Sequence, residues 1–294
     1  MELGKTSIFV ITDTLSAAGA LDLAHRVESA GYGALWVPET FGREVLGHAS
    51  FLLSNTKRLT IATGIANIYA RDPRAMASGQ LALNEQSGNR FLLGIGVSHS
   101  FIVSDMRGHN YGKPVATMRA YLEAMKLDTY TAPKPTEKPK TIIAALRPKM
   151  LELTAEMADG AIPYAITAEH TERARKILGP DKLLCPVQNV MLETDPATAR
   201  AGARAHVGLS LSLPNYQNNL KWIGFKDEDF ENGCSDRLID AMVAWGDEDA
   251  IRKRIDLHFA AGADHVCIQP MHSRPRAMGD IEPKLIELLA PNRR

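Results

Sequence analysis

The sequence predicts a parallel α/β fold: one (β/α)8 TIM-barrel domain spanning residues 1–294, with an insertion at about 213–236, between the seventh and eighth strands. Three observations carry this expectation. Strand-like and helix-like stretches alternate along the whole chain, which is the pattern of a parallel sheet with crossover helices. The 294 residues are enough for one large barrel. The rival fold, an open doubly wound sheet, calls for a glycine-rich phosphate loop after the first strand, and this chain has Thr12-Asp13-Thr14-Leu15 there.

The first strand is read at Ser7–Ile11. Ser16 caps the helix after it, Leu21, Ala24 and Val27 give that helix its apolar face, and Gly31 stops it. Ala34–Pro38 is the second strand, followed by Glu39-Thr40-Phe41-Gly42 and a short helix over Val45–Ser54. In the third strand Leu59, Ile61 and Thr63 alternate with Thr60 and Ala62. It then meets Gly64-Ile65-Ala66-Asn67, where glycine and asparagine favour a distorted backbone of the kind found at functional sites. Asp72 as N-cap and Pro73 at the first position open a helix that Gly88 ends.

Phe91–Gly96 is the fourth strand, with Val97-Ser98-His99-Ser100 at its end, a polar loop over Asp105–Lys113 and a helix from Pro114. The Pro- and Lys-rich stretch Thr131–Lys140 reads as a surface connection inside one domain, because a strand at Thr141–Ala145 follows at once. Leu146-Arg147-Pro148-Lys149 then turns into a helix with Met150, Leu153 and Met157 on one face. A short strand at Ala161–Pro163 precedes a helix capped by Thr167 and ending at Gly179. Leu183–Leu192 is the seventh strand. A helix follows from Pro196, and Pro214 is expected to end the helical pattern. Leu213–Asp236 shows little periodicity and reads as an insertion that forms part of a substrate pocket. Helices are expected at Asp236–Trp245, at Asp247–Ala261 and, closing the chain, at Ile281–Ala290, with the eighth strand at His265–Pro270.

Composition narrows the function. Lys plus Arg and Asp plus Glu are both 34, so the formal net charge is zero and nothing favours nucleic acid or an anionic membrane. Cys185, Cys234 and Cys267 are far apart, form no zinc spacing and no disulfide framework, and fit a reducing cytoplasm. No signal peptide is read at the N-terminus and no apolar run is long enough to span a bilayer. No metal is expected: HExxH and clustered Cys/His are absent. The chain also lacks the G-x-S-x-G elbow of a serine nucleophile.

In a barrel, chemistry sits just past the strand carboxyl ends. Those ends carry Asp13, Glu39, Gly64–Asn67, Val97–His99, Leu146–Lys149, Tyr164, Asn189 and Gln269. Glu39 and His99 are the candidate catalytic groups: a carboxylate in the mouth, and an imidazole that titrates near neutrality. Arg147 and Lys149 set two cations beside a helix N-terminus, which suits a phosphate.

GYGALWVPET, LTIATGIANIYARDPRAMA, NRFLLGIGVSH, RPKMLELTAEMADGAIPY and AGADHVCIQP follow one another across nearly the whole chain. As an ensemble they resemble the luciferase-like monooxygenase superfamily, and within it the oxidoreductases that use coenzyme F420. The resemblance implies a barrel, a homodimer and a small-molecule substrate. It implies a non-prolyl cis peptide at the bulge of the third strand, which by motif position falls between Gly64 and Ile65. In the family that bulge supports and bends the deazaflavin ring and presents its C5 for hydride transfer. Gly64, Ile65, Ala66 and Asn67 inherit that role by position; Glu39 falls near the ring, and Gly96, Val97, Ser98 and Tyr164 line the cofactor. Leu146, Arg147, Pro148 and Lys149 match the turn that holds its phosphate. Two departures stand out. Many relatives carry Asp-His after the second strand, and this chain has Glu39-Thr40; His99 stands where sugar-phosphate-oxidising relatives have Glu. The alternatives are an FMN-dependent monooxygenase fed by a separate flavin reductase, and a deazaflavin carrier without catalysis of its own.

Overall fold

The computed structural model describes residues 3–126, 129–275 and 280–291. The strands are β1 (Thr6–Phe9), β2 (Ala34–Val37), β3 (Thr60–Thr63), β4 (Ala66–Asn67), β5 (Phe91–Gly96), β6 (Thr141–Ile143), β7 (Gly160–Ala161), β8 (Leu183–Leu184), β9 (Val187–Leu192), β10 (Val243–Gly246) and β11 (Val266–Met271). The helices are α1 (Ala17–Ser29), α2 (Val45–Ser54), α3 (Pro73–Ser87), α4 (Pro114–Ala124), α5 (Pro148–Met157), α6 (Ala168–Leu178), α7 (Pro196–Ser212), α8 (Pro214–Ile223), α9 (Asp236–Met242), α10 (Glu248–Ala260) and α11 (Lys284–Leu288).

Every pairing is parallel, and the sheet curls in the order β10-β9-β11-β1-β2-β3-β5-β6-β7-β8. Only Cys185-Pro186 separates β8 from β9. Across that step Cys185 N–H donates to Ala161 O and Cys267 N–H to Pro186 O, so one stretch of chain touches both sides of the curl. Alternation along the strands sorts the core. Ile8, Leu35, Ile61 and Leu93 pack outward with the helices. Their neighbours Phe9, Trp36, Ala62 and Leu92 fill the concave interior with Ile142, Ile162 and Cys267. Caps follow the sequence: Ser16, Asp72, Thr167 and Asp247 each accept a first-turn N–H, and Gly88 ends α3 in the left-handed region at φ 66°.

Three expectations need correction. The helix from Pro196 does stop just before Pro214, at Ser212, but Pro214 also starts a new helix, because the first helical position needs no N–H. The stretch read as an aperiodic insertion therefore holds α8 and a 3-10 turn at Asp227–Phe230. Together α7, α8, α9 and β10 bury a satellite core that includes Val207, Leu211, Leu220, Leu238 and Val243. Second, Asp236–Trp245 is not one helix: α9 ends at Met242, and Val243–Gly246 pairs with Asn189–Leu192 as β10. The valine and tryptophan suit a strand, and the free side of β9 supplies the ladder. Third, the loop expected from Asp105 is preceded and overlapped by a π-helix, Phe101–Met106.

Candidate active site

The third strand divides as its sequence suggests. β3 pairs with β2 and β5, β4 resumes pairing with β5, and Gly64-Ile65 between them carries a cis peptide bond. The bulge is fixed on both sides: Gly64 N–H donates to Val37 O at 3.0 Å, and Glu39 N–H donates to Ile65 O at 3.0 Å. Two glycines make room for it. A Cβ on Gly64 would lie 2.5 Å from Phe9 Cε2, and one on Gly96 would lie 2.8 Å from Ile65 Cγ1.

The bulge forms part of the wall of a cavity of about 1140 Å³ at the strand carboxyl ends. Of the residues expected there, Glu39, Gly64, Ile65, Gly96, Val97, Ser98, His99, Leu146, Arg147, Pro148, Lys149 and Tyr164 all line it. Ala66 and Asn67 are buried in β4, away from that lining.

Glu39 is fully engaged. Its carboxylate accepts Asn67 N–H at 2.7 Å and pairs with both terminal nitrogens of Arg71, which also reaches Glu44 at 2.7 Å. The Arg71 and Glu39 side chains are only 10% and 4% exposed. The neighbouring Thr40 hydroxyl donates to Asp13, whose carboxylate also receives the N–H groups of Gly42 at 3.0 Å and of Phe41 and Arg43 at 3.3 Å. Burial opposes ionisation of Asp13, but the Thr40 hydroxyl and these N–H donors outweigh it and hold its pKa below the usual range.

His99 follows Ser98, a non-glycine residue at φ 57° whose carbonyl accepts the Tyr111 hydroxyl at 3.1 Å. Its ring sits between those of Phe101 and Tyr216, at centroid distances of 6.2 and 5.5 Å. Burial pushes its pKa below 6.5, so the imidazole is neutral at pH 7. Tyr164 lies deeper. Burial raises its phenol to about 12 against the pull of Gln269, Ser210 and Asn189. Gln269 also lines the cavity, and its buried Oε1 has no partner. On the same cavity α5, which follows β6, begins at Pro148 with no side-chain cap, and Arg147 and Lys149 flank its first turn. Pro148 has no N–H, and the Met150 and Leu151 N–H groups donate to Arg147 O at 3.0 and 3.1 Å, so this end offers an anion the Lys149 N–H, the helix dipole and two cations.

Sequence reasoning missed Phe101, Tyr111, His206 and Ser210 as lining residues. Phe101 lies in a π-helix and His206 and Ser210 within α7, where no local motif marks an inward face. No helix among the described residues is long and apolar enough to cross a membrane, and no group of His, Cys, Asp and Glu among them is arranged to hold a metal.

Fold and site define a curled parallel α/β protein with one large ligand cavity over a bulged strand. The family model described as luciferase-like monooxygenase matches residues 3–265, and the chain belongs to that family. A Mycobacterium tuberculosis protein provisionally named a coenzyme F420-dependent oxidoreductase is 25% identical over 308 aligned residues, 82% of this chain and 87% of its own length. The 5,10-methylenetetrahydromethanopterin reductase of Archaeoglobus fulgidus is 31% identical, over 49% of this chain and 47% of that protein. Among solved structures, an F420-dependent secondary alcohol dehydrogenase bound to an F420-acetone adduct superposes with a TM-score of 0.76 at 15% identity, covering 99% of this chain and 98% of that one. The F420-dependent tetrahydromethanopterin reductase of Methanopyrus kandleri gives 0.77 at 17%, with the same coverage. An FMN complex of the oxygenating constituent of a Pseudomonas putida diketocamphane monooxygenase gives 0.69 at 14%, over 98% and 97% of the two chains. At such identities these structures speak for the fold.

Proposed function

We propose that this protein is an F420-dependent oxidoreductase that exchanges a hydride between the deazaflavin C5 and a small organic substrate. The observation that carries the reading is the Gly64–Ile65 bulge, packed against Phe9 and lining a cavity that the uncapped start of α5 also lines. A flat ring needs a flat support, and a phosphate-linked tail needs an anion seat; the two stand on one cavity. The relatives' names point the same way.

On this reading Gly64, Ile65, Gly96, Val97, Ser98 and Tyr164 line the ring, and Leu146, Arg147, Pro148 and Lys149 hold the phosphate. Ala66, Asn67 and Glu39 hold the bulge from behind. Bound F420 supplies or accepts the hydride, the substrate taking the opposite role. His99 handles the accompanying proton on a ring nitrogen, and enclosure by the cover that α7 and α8 form over the cavity keeps water from the transfer. We read the curled sheet as a (β/α)8 barrel with an insertion at about 213–236, and the working enzyme as a homodimer in the cytoplasm, which its three free cysteines fit.

Parallel fluorescence titrations with F420 and with FMN test the proposal. Saturable F420 binding, with turnover that consumes no oxygen, is expected. Binding of FMN alone, with oxygen uptake once the flavin is reduced, would replace F420 chemistry with monooxygenation.

A further inference from the structure

The cavity contains an aromatic arc of which the cofactor assignment leaves Tyr216 and Phe101 unused. Five rings follow one another around its wall: Phe9 to Tyr164 at 5.8 Å between centroids, Tyr164 to Tyr216 at 6.1 Å, Tyr216 to His99 at 5.5 Å, and His99 to Phe101 at 6.2 Å. They come from β1, the turn after β7, α8, the turn after β5, and the π-helix. Tyr216 is the centre of the arc and is supplied by the cover, not by a strand end. Its phenol is pushed up by burial and by the neighbouring Tyr164, so it stays protonated and uncharged.

Charge on the same cavity is one-sided. Among the described residues lining it, the lysine and arginine side chains are Arg147 and Lys149, both at the start of α5. Nearby arginines are occupied: Arg43 donates to the Thr12 and Leu15 carbonyls, and Arg71 pairs with Glu39 and Glu44. His206, on the cover, is within hydrogen-bonding distance of His272 O at 2.9 Å, and burial lowers its pKa. The arc therefore offers ring faces and edges and no fixed charge. The volume, about 1140 Å³, exceeds the roughly 300–1,000 Å³ of a small-molecule site, which leaves room for a second molecule beside a tricyclic ring.

We propose, resting on the F420 reading, that the substrate is an uncharged planar conjugated carbonyl compound stacked in this arc, with Tyr216 as the specificity-determining residue. Aromatic walls favour flat π-systems through offset and edge contacts, and a neutral wall leaves an anionic substrate unpaired. In reduction, a hydride from the reduced deazaflavin adds to the carbonyl carbon and a proton reaches its oxygen. The deazaflavin leaves oxidised and the carbonyl becomes an alcohol.

The test uses the full chain with two kinds of probe. Calorimetry compares trans-cinnamamide with cyclohexanecarboxamide, a saturated ring of the same head group, on protein with and without F420. Oxidation of reduced F420 is then followed with cinnamaldehyde and with cyclohexanecarbaldehyde. The expected result is tighter binding and higher kcat/KM for the planar member of each pair. Tyr216→Ala should erase the preference by raising KM about tenfold with little change in kcat, Tyr216→Phe should retain it, and F420 affinity should stay within about twofold in both variants. Equal use of both aldehydes, or no reduction of cinnamaldehyde by F420-loaded protein, would overturn the proposal. Loss of F420 binding in Tyr216→Ala would assign the arc to the cofactor and overturn it too. Failure of F420 to bind, while cinnamamide still binds through Tyr216, would sink the cofactor assignment and leave the aromatic site standing.

Discussion

Glu39 and Ile65 are joined so that one residue secures the bulge: the Glu39 N–H holds the Ile65 carbonyl at 3.0 Å. The same residue's carboxylate takes the N–H of Asn67, two residues further along, at 2.7 Å. Arg71 neutralises that carboxylate and is tied in turn to Tyr121, whose hydroxyl donates to the Arg71 carbonyl at 2.9 Å. A glutamate in the mouth of a barrel invites a reading as a proton donor. Here both of its oxygens are committed to holding backbone and a guanidinium, which makes it a positioning residue.

Glu39→Ala should therefore fail as a structural change before it fails as a chemical one. Removing one partner of a buried pair costs about 3–5 kcal/mol, and Glu44 offsets part of that by remaining on Arg71. The expected loss is about 2–4 kcal/mol by denaturant unfolding, with weakened F420 binding. Glu39→Gln keeps an acceptor for Asn67 N–H and should fall between the variant and the parent. A Glu39→Ala protein with parental stability and cofactor affinity would contradict the bracing role.

Gly96→Ala tests the wall from the other side. The added methyl would sit 2.8 Å from Ile65 Cγ1 and 3.3 Å from the Ala144 side chain. Overpacking of this kind costs about 1–3 kcal/mol, and its relief has to come from Ile65, because β5 is held by β4 on one side and β6 on the other. F420 affinity, measured by fluorescence, should drop about tenfold or more, with a smaller effect on unfolding. Unchanged affinity would mean that the ring does not rest on Ile65.

Three histidines give the fold a pH dependence. His170, His258 and His265 are essentially unexposed, and burial lowers each to about 4. For His258 the neutral tautomer is set by its partners. The Gln188 amide nitrogen donates to Asn189 O and its oxygen faces His258 Nε2 at 3.0 Å, so Nε2 carries the proton and Nδ1 accepts the Thr171 hydroxyl at 2.8 Å. Between the unfolded value near 6.5 and the folded value near 4, the unfolded chain binds more protons than the native one. Stability is thus complete above pH 6.5 and falls as pH drops toward 4, each histidine contributing up to about 1.4 kcal/mol per pH unit. Urea midpoints at pH 7.5 and 5.0 should differ clearly, and His258→Gln should shrink the difference. Identical midpoints at the two pH values would refute the linkage.

The barrel-like order of elements was legible because alternation in strands such as Leu59–Thr63 and caps such as Asp72-Pro73 are local signals. The bulge was legible for the same reason: Gly64 and Asn67 stand where a regular strand would place branched residues. What escaped depends on partners remote in sequence. Val243–Gly246 becomes a strand only because β9 has a free side. Glu39 meets its partner in Arg71, far along the chain, and nothing around Phe101 or Ser210 announces that the chain turns them toward His99 and Tyr164. Pro214 marks the end of α7 as its sequence suggests, but proline closes one helix and opens the next, and the start of α8 carries no other local signal.

His99 carries the mechanistic claim, and its environment fixes the direction of its pH dependence. Burial lowers its pKa below 6.5, so the neutral form prevails at pH 7. In alcohol oxidation, neutral imidazole takes the hydroxyl proton, and kcat/KM should be level at neutral pH and fall along an acid limb displaced below that of a free imidazole. In carbonyl reduction the protonated form is the donor by microscopic reversibility, and the rate should instead decline as pH rises through the same limb. His99→Ala should remove the limb in both directions and slow turnover by about 10²–10⁴-fold, leaving F420 affinity within about twofold because the bulge and the α5 seat are untouched. A limb that persists in the variant would belong to another group. Turnover that survives would pass the proton step to Tyr164 or Tyr216, whose raised phenols sit in the same arc.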